Sequence, residues 1–209
     1  MDRPDIQFAV KEVCRAMSRP CESDWTALKR LAMYLCGRPR LVQLFAWQPK
    51  DNRLNGYSDA NWAGCKATRK STSGGALCWG YHCVKSWSKT QATVALSSAE
   101  SELTAAVKTA SEMIGMIGMA RDMGLKVEGD IWVEASAAMG IVNRQGCGKI
   151  RHLDTRLLWV QQKKLREEIN FGKINGKGES VRSHDERLGR GQPDEDGAKV
   201  GMQLQRRES

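Results

Sequence analysis

Three acidic residues stand where a β-sheet and a covering helix would bring them together. Asp59 ends a predicted strand, Glu102 lies in the first turn of a long predicted helix, and Glu134 ends the next predicted strand. Carboxylates gathered at one sheet edge repel one another unless cations neutralise them, and Mg²⁺ prefers such oxygen ligands. Two such ions can hold the attacking water and the leaving oxygen of a phosphodiester. From spacing alone, three solvated surface acids are the alternative interpretation.

The hydrophobic pattern predicts the elements that would position these acids. Short apolar stretches bounded by glycine and serine indicate strands, and apolar residues recurring every three or four positions indicate helices. The predicted strands cover residues 41–47, 54–59, 75–80, 84–88, 129–134 and 169–174. The predicted helices cover two segments within 4–37, then 98–123, 137–143 and a last one, capped by Asp154, that runs to 168. From residue 54 onward this order indicates an α/β fold, a mixed sheet flanked by helices.

The charge balance of the 209 residues favours a polyanionic partner. Lysine and arginine number 33 against 24 aspartates and glutamates, which gives a formal net charge of +9. Basic side chains that neutralise phosphates release counterions and thereby favour association with nucleic acid. A soluble basic protein without such a partner is the alternative from charge alone. No apolar run approaches the roughly 18 residues that a membrane-spanning helix needs.

The spacing of the cysteines and histidines argues against a structural zinc site. The chain has seven cysteines, none of them in a C-x-x-C pair, and its three histidines lie far apart. An odd number of cysteines without a signal peptide indicates reduced thiols in an intracellular protein, either cytoplasmic or nuclear.

Four segments together are similar to the signature of ribonuclease H (RNase H) domains from copia-type retrotransposons. They read GYSDANWAG at 56–64, RKSTSG at 69–74, ALSSAESEL at 95–103 and RHLDTR at 151–156. Upstream, RPDI at 3–6 and WTALKRL at 25–31 resemble the C-terminal tail of the reverse transcriptase and the connection that precede this domain. The resemblance covers roughly residues 2–177.

This resemblance implies an RNase H-like fold, a mixed five-stranded sheet with flanking helices, preceded by a small helical connection unit. The implied boundaries are 1–50 for the reverse transcriptase tail and connection and 54–177 for the RNase H-like domain. The implied activity is two-metal cleavage of the RNA strand of an RNA–DNA hybrid, with two Mg²⁺ or Mn²⁺ ions. The implied partners are the hybrid and the rest of the Pol polyprotein. A catalytically dead nucleic-acid-binding remnant of that polyprotein is the alternative.

The same resemblance assigns roles to the three acids. Asp59 matches the first catalytic and metal-binding carboxylate of the family. Glu102 rather than Glu100 matches the second, because the family's glutamate directly precedes a large residue, here Leu103. Glu134 falls where the family normally carries an aspartate, and its extra methylene puts the metal geometry in doubt.

Further residues have nucleic-acid contact as one of two interpretations. Arg69, Lys70, Ser71 and Ser73 would lie in a turn near the hybrid, where they either contact phosphate or form a solvated basic turn. Most of the tryptophans are expected in the core, with base stacking as the alternative. The tryptophans considered are Trp62, Trp79, Trp87, Trp132 and Trp159.

The family's fourth acid is missing after Lys177. The family ends with Lys-x-Asn-x-Ala-Asp-x-x-Thr-Lys, whereas residues 177–188 read KGESVRSHDERL. One permitted back-translation of 179–188, read one base later, gives Asn-Pro-Ser-Asp-Leu-Met-Thr-Lys-Gly. The hypothesis is therefore one extra base after Lys177, which would make 178–209 an out-of-frame tail. The scarcity of aliphatic residues there independently predicts disorder.

Overall fold

The computed structural model describes residues 3–144 and 155–174, the latter without the side chains of 155–158. All of them belong to one compact unit, Met1–Asn175. The helices are α1 (Gln7–Cys14), which follows a 3-10 turn at Pro4–Ile6, α2 (Glu22–Gly37), α3 (Ser98–Asp122), α4 (Ser136–Val142) and α5 (Thr155–Leu165). The strands are β1 (Arg53–Asn61), β2 (Thr72–Trp79), β3 (His82–Thr90), β4 (Glu128–Val133) and β5 (Asn170–Lys173).

The five strands form one mixed sheet in the order β3-β2-β1-β4-β5. Residues 62–71 join β1 to β2, a two-residue turn joins β2 to β3, and both pairs of strands are antiparallel. The pairs β1–β4 and β4–β5 are parallel. Parallel neighbours need a long crossover, and α3 supplies the one between the antiparallel strands and β4. The predicted α/β fold of RNase H type, a mixed five-stranded sheet with flanking helices, is confirmed.

The core lies between one face of the sheet and α3. Its fully buried side chains include Leu54, Leu77, Ile131 and Val133 from the strands and Leu103, Ala106, Ala110 and Met113 from the helix. A Cβ at Gly56 would lie 2.8 Å from Met113 Cε and 2.9 Å from Thr109 Cγ2. Glycine at this position therefore lets the middle of α3 approach β1 closely.

The first helix packs against the opposite face of the sheet. Gln7 Nε2 donates to Ser86 Oγ of β3 at 2.9 Å, and Lys11 Nζ donates to Thr72 Oγ1 of β2 at 2.6 Å. Because side chains alternate along a strand, Thr72 points away from the face that carries Leu77. The division into a unit at 1–50 and a domain at 54–177 stays a prediction.

The strand predicted at residues 41–47 is wrong. Residues 38–52 form neither helix nor strand, and Val42 and Trp47 are 84% and 89% exposed. The segment is held by side-chain bonds, such as Gln43 Nε2 to Cys83 O at 2.7 Å. An apolar run forms a strand only where one of its faces is buried against neighbouring elements, and residues 41–47 are all exposed.

Some sequence predictions fall outside the described residues. They include the helix cap at Asp154 and the tail at 178–209, together with its shifted-frame hypothesis. No helix in the described part of the chain is long and apolar enough to cross a membrane.

Candidate active site

The sheet places Asp59 and Glu134 on neighbouring strands. The parallel register pairs Ser58 of β1 with Val133 of β4. Asp59 and Glu134 each come one residue later, Asp59 still within β1 and Glu134 directly after β4. Both acids are exposed. The strands therefore present two carboxylates side by side at one edge of the sheet.

Glu102 approaches this edge from the second turn of α3. Its Oε1 accepts a hydrogen bond from the Ala60 backbone N–H at 3.3 Å. Its Oε2 is buried and has no hydrogen-bond partner in the described part of the chain. Burial, followed by the negative charge of Asp59, raises the pKa of Glu102 to about 7, and Glu134 adds a smaller effect in the same direction. The Ala60 N–H opposes this shift. The three predicted acids thus interact electrostatically around Glu102.

Glu100, two residues earlier on the same helix, has a different role. Ser97 is the N-cap of α3, and its Oγ accepts from the Glu100 N–H at 3.2 Å. The Glu100 carboxylate accepts from the Leu96 N–H at 2.8 Å. This resembles a capping box, for which Ser97-x-x-Glu100 is the sequence signature. The charge of Asp59 therefore acts on Glu102, whereas the Glu100 carboxylate is hydrogen-bonded to the backbone before α3. That Glu102 and not Glu100 points toward Asp59 stays a prediction.

A buried amide and an indole hold the start of α3 against the sheet. Gln91 Nε2 donates to Ser73 Oγ of β2 at 3.0 Å and to Ser101 O at 2.8 Å. Trp62 Nε1 donates to Ala95 O at 3.1 Å, which ties the loop before α3 to the end of β1. Sequence reasoning missed Gln91, which nothing in its local pattern distinguishes from a surface glutamine.

The three acids do not form a ready metal site. Within residues 3–144 and 155–174, no group of three or more His, Cys, Asp or Glu side chains is arranged to hold a metal ion. Asp59 and Glu134 are exposed and can change rotamer, whereas Glu102 is fixed by its helix and by Ala60. Metal binding by Asp59, Glu102 and Glu134 therefore stays a prediction that requires the two exposed side chains to move.

The four residues with predicted phosphate contact separate into two pairs. Arg69 is exposed and Lys70 is half-buried, in the turn between β1 and β2. Ser71 and Ser73 are buried, at 0% and 4% exposure. The Ser71 Oγ accepts from the Ala63 N–H at 3.0 Å, and the Ser73 Oγ accepts from Gln91. Direct phosphate contact by the two serine side chains does not fit this burial, because both hydroxyls accept hydrogen bonds from groups within the protein.

The tryptophans mostly pack inside, as expected. Trp79, Trp87 and Trp159 are partly buried against the core, and Trp132 Nε1 donates to Asn55 Oδ1 at 3.0 Å. Trp62, at 48% exposure, lies nearest the acids along the chain and is the member of this set open to solvent.

Comparisons with known proteins place the chain in a family. It is 32% identical over 182 residues, 83% of its length, to a retrovirus-related Pol polyprotein from transposon TNT 1-94 of Nicotiana tabacum. It is 36% identical over 125 residues to the corresponding polyprotein from transposon RE1 of Arabidopsis thaliana. A secreted RxLR effector protein of Plasmopara viticola is 40% identical over 112 residues, 78% of that protein. The chain belongs to the Pol polyproteins of copia-type retrotransposons. It spans 13% and 8% of the lengths of the two polyproteins.

Two other comparisons complete these findings. No family model matches the chain. Among solved structures, a ribonuclease H1 isolated from compost is similar with a TM-score of 0.44 and 13% identity, over 61% of this chain and 87% of that one.

Proposed function

We propose that this chain hydrolyses the RNA strand of RNA–DNA hybrids, with Asp59, Glu102 and Glu134 as its acidic centre. One observation carries the proposal. The buried Glu102 oxygen that lacks a partner in the described chain faces a site flanked by two further carboxylates. A buried polar atom without a partner is costly, and such costs are retained mainly where function needs them. The Pol polyprotein relatives support the same class of activity.

The residues fit divalent cations with oxygen ligands. Bound Mg²⁺ or Mn²⁺ would neutralise the clustered carboxylates and supply a hydroxide for attack on a phosphodiester. Asp59 and Glu134 would hold such ions from the sheet, and Glu102 would hold them from the helix. The Ala60 N–H fixes Glu102 Oε1 and leaves Oε2 as the ligand atom.

Glu102 also makes the site sensitive to pH. With its pKa near 7, the carboxyl holds a proton on a substantial fraction of molecules at neutral pH. A cation must displace that proton before it can bind, so we expect metal affinity to rise as pH increases through about 7.

A cleavage assay tests the proposal. A labelled RNA–DNA hybrid is incubated with the chain and Mg²⁺ or Mn²⁺, alongside Asp59→Asn and the matched control Glu100→Gln. We expect the control to cleave like the parent chain and Asp59→Asn to fall to background. Cleavage that persists in Asp59→Asn would assign the activity to another site or to a contaminant.

The alternative function is hybrid binding without catalysis. It is favoured by the formal net charge of +9, which suits a polyanionic partner whether or not the acids bind metal. We expect the hybrid affinity to fall steeply with salt, because phosphate contacts release counterions. Arg69→Ala and Lys70→Ala should each reduce the slope of log affinity against log salt by about 1. A chain that binds with this salt dependence but never cleaves with either metal supports the alternative.

The shifted-frame hypothesis distinguishes a damaged enzyme from a dedicated binder. A chain in which residues 178–209 are replaced by the shifted-frame ending regains the family's fourth acid. A damaged enzyme should then cleave faster, because a fourth carboxylate helps to neutralise two divalent ions. Equal cleavage rates for the two chains would show that the missing fourth acid does not limit activity.

A further inference from the structure

Two cysteines face each other at the end of the sheet away from the acids. The β2–β3 hairpin turns through Gly80 and Tyr81, and Gly80 has φ +59°, as required for the first residue of a type II′ turn. The next pair in the antiparallel register is Cys78 opposite Cys83. Opposed residues in such a ladder have Cα atoms about 4.5–5.5 Å apart, inside the range of about 4.4–6.8 Å that disulfides require.

The side chains of this cross-strand pair are both available for reaction. Both thiols are half-buried and free, and the Cys83 Sγ–H donates to Lys85 O at 3.6 Å. Hydrogen bonding with Cys78 lowers the pKa of Cys83, whereas hydrogen bonding with Cys83, together with burial, raises the pKa of Cys78. Cys83 is therefore the thiol of this cross-strand pair that ionises more readily, and the thiolate is the form that attacks a disulfide.

We propose that Cys78 and Cys83 form a reversible disulfide by exchange with a low-molecular-weight disulfide such as glutathione disulfide. The Cys83 thiolate attacks one sulfur of the glutathione disulfide, which gives a mixed disulfide and releases one glutathione thiolate. Cys78 then loses its proton to solvent, and its sulfur attacks the Cys83 sulfur and releases the second glutathione thiolate. The two protein thiols are oxidised, and one glutathione disulfide is reduced to two glutathiones.

A disulfide between Cys78 and Cys83 would lie next to the segment 43–48. The exposed segment 43–48 rests on this end of the hairpin, where Gln48 Nε2 donates to Trp79 O at 2.9 Å. His82 Nε2 also lies 2.7 Å from Ala46 O. A disulfide between Cys78 and Cys83, the second pair from the turn after Trp79 and His82, would fix the hairpin end that holds this segment.

Mass spectrometry of the whole chain tests the proposal. The chain is equilibrated in glutathione buffers of increasing oxidation, blocked with iodoacetamide, and digested with chymotrypsin, which cuts after Trp79 and Tyr81. We expect a loss of two hydrogens from the intact mass and linked peptides that contain Cys78 and Cys83. Dithiothreitol should reverse both changes.

Single substitutions separate the roles of the two thiols. Cys78→Ser should accumulate a glutathione adduct on Cys83, because no thiol remains to resolve it, whereas Cys83→Ser should form less adduct at Cys78. The matched control is Cys36→Ser, which removes an exposed thiol of α2 and should still form the disulfide. A parent chain that gains only mixed adducts, stays unmodified, or links Cys78 or Cys83 to any other cysteine overturns the proposal.

Discussion

A carboxylate from a neighbouring element lies beside each end of β1, and the two carboxylates have opposite surroundings. At the start of the strand, Asp130 of β4 accepts from Arg53 Nη1 at 2.7 Å and from Asn170 Nδ2 at 3.1 Å. Each of its oxygens therefore has a donor. Near the end of β1, Glu102 receives one backbone hydrogen bond of 3.3 Å, and the charges around it are negative.

The difference indicates which acid serves the fold and which serves function. A carboxylate with paired oxygens stabilises its surroundings, and removal of its partner is costly. A carboxylate surrounded by like charges makes folding less favourable when it ionises. Selection for stability alone would have removed the second arrangement, so the Glu102 end is the part of β1 where we locate chemistry.

The largest expected effect concerns cleavage. Glu102→Gln should lower the rate of hybrid hydrolysis by more than about 100-fold, since even the loss of groups that only support a metal ligand costs 10–100-fold. Asp130→Asn, at the opposite end of β1, should leave the rate per folded molecule unchanged. A loss of cleavage in Asp130→Asn alone would break the comparison between the two ends.

The next effect concerns stability at the Arg53 end. Arg53→Met keeps the apolar part of the side chain but leaves Asp130, whose side chain is 11% exposed, without its cation. We expect a loss of about 2 kcal/mol in the free energy of unfolding, less than for a fully buried pair because the Arg53 side chain is 48% exposed. Urea titration measures it, with Arg53→Lys as the control. An unchanged unfolding midpoint would mean that the pair contributes nothing.

The contrast between the surroundings of Asp130 and Glu102 could be predicted from the sequence only in part. The strands and α3 followed from periodicity, because each has one face buried against the other. The choice of Glu102 over Glu100 followed from family resemblance, and the Ser97-x-x-Glu100 pattern supports it. The burial of Ser71 and Ser73 could not be read locally, since it depends on Gln91 eighteen residues beyond Ser73.

The segment 41–47 also shows that a local sequence pattern does not decide the structure of a segment. Its sequence, LVQLFAW, is as apolar as that of a buried strand, yet no strand pairs with it in the described chain. A sequence pattern indicates which secondary structure a segment can form, whereas its tertiary contacts decide which one it adopts. For the site, motifs predicted the residues but not the side-chain positions of Asp59 and Glu134 that metal binding would require.

A smaller effect on cleavage should follow from shortening Glu134. Glu134→Asp restores the residue that the family carries and removes one methylene from an exposed side chain. Mg²⁺ demands near-ideal octahedral geometry, so we expect cleavage to rise by up to about tenfold. The rise should be smaller with Mn²⁺ if geometry is the cause. A decrease would indicate that the longer side chain is needed to reach the ion from the end of β4.

The smallest effect is a gain of stability from the variant that should lose activity. In the folded chain the Glu102 pKa is about 7, above its usual 4.5. Below about pH 4.5 the Glu102 carboxyl is protonated in both the folded and the unfolded chain, so it does not lower the free energy of unfolding. Between 4.5 and 7 the unfolded chain releases a proton that the folded chain retains, so the free energy of unfolding falls as pH rises. Above 7 the full penalty is present, about 1–2 kcal/mol after allowance for solvent around this half-buried group.

Glu102→Gln removes that charge while keeping the hydrogen-bond acceptor for Ala60. The variant should therefore be about 1–2 kcal/mol more stable than the parent chain at about pH 8, and equally stable at about pH 4.5. Urea unfolding midpoints across this pH range, with EDTA present, measure the difference, and Glu100→Gln is the control that should keep the parent's slope. If Glu102→Gln is no more stable than the parent chain at high pH, burial and the neighbouring negative charges do not destabilise the ionised Glu102. The Glu102 end of β1 would then be as well satisfied as the Asp130 end.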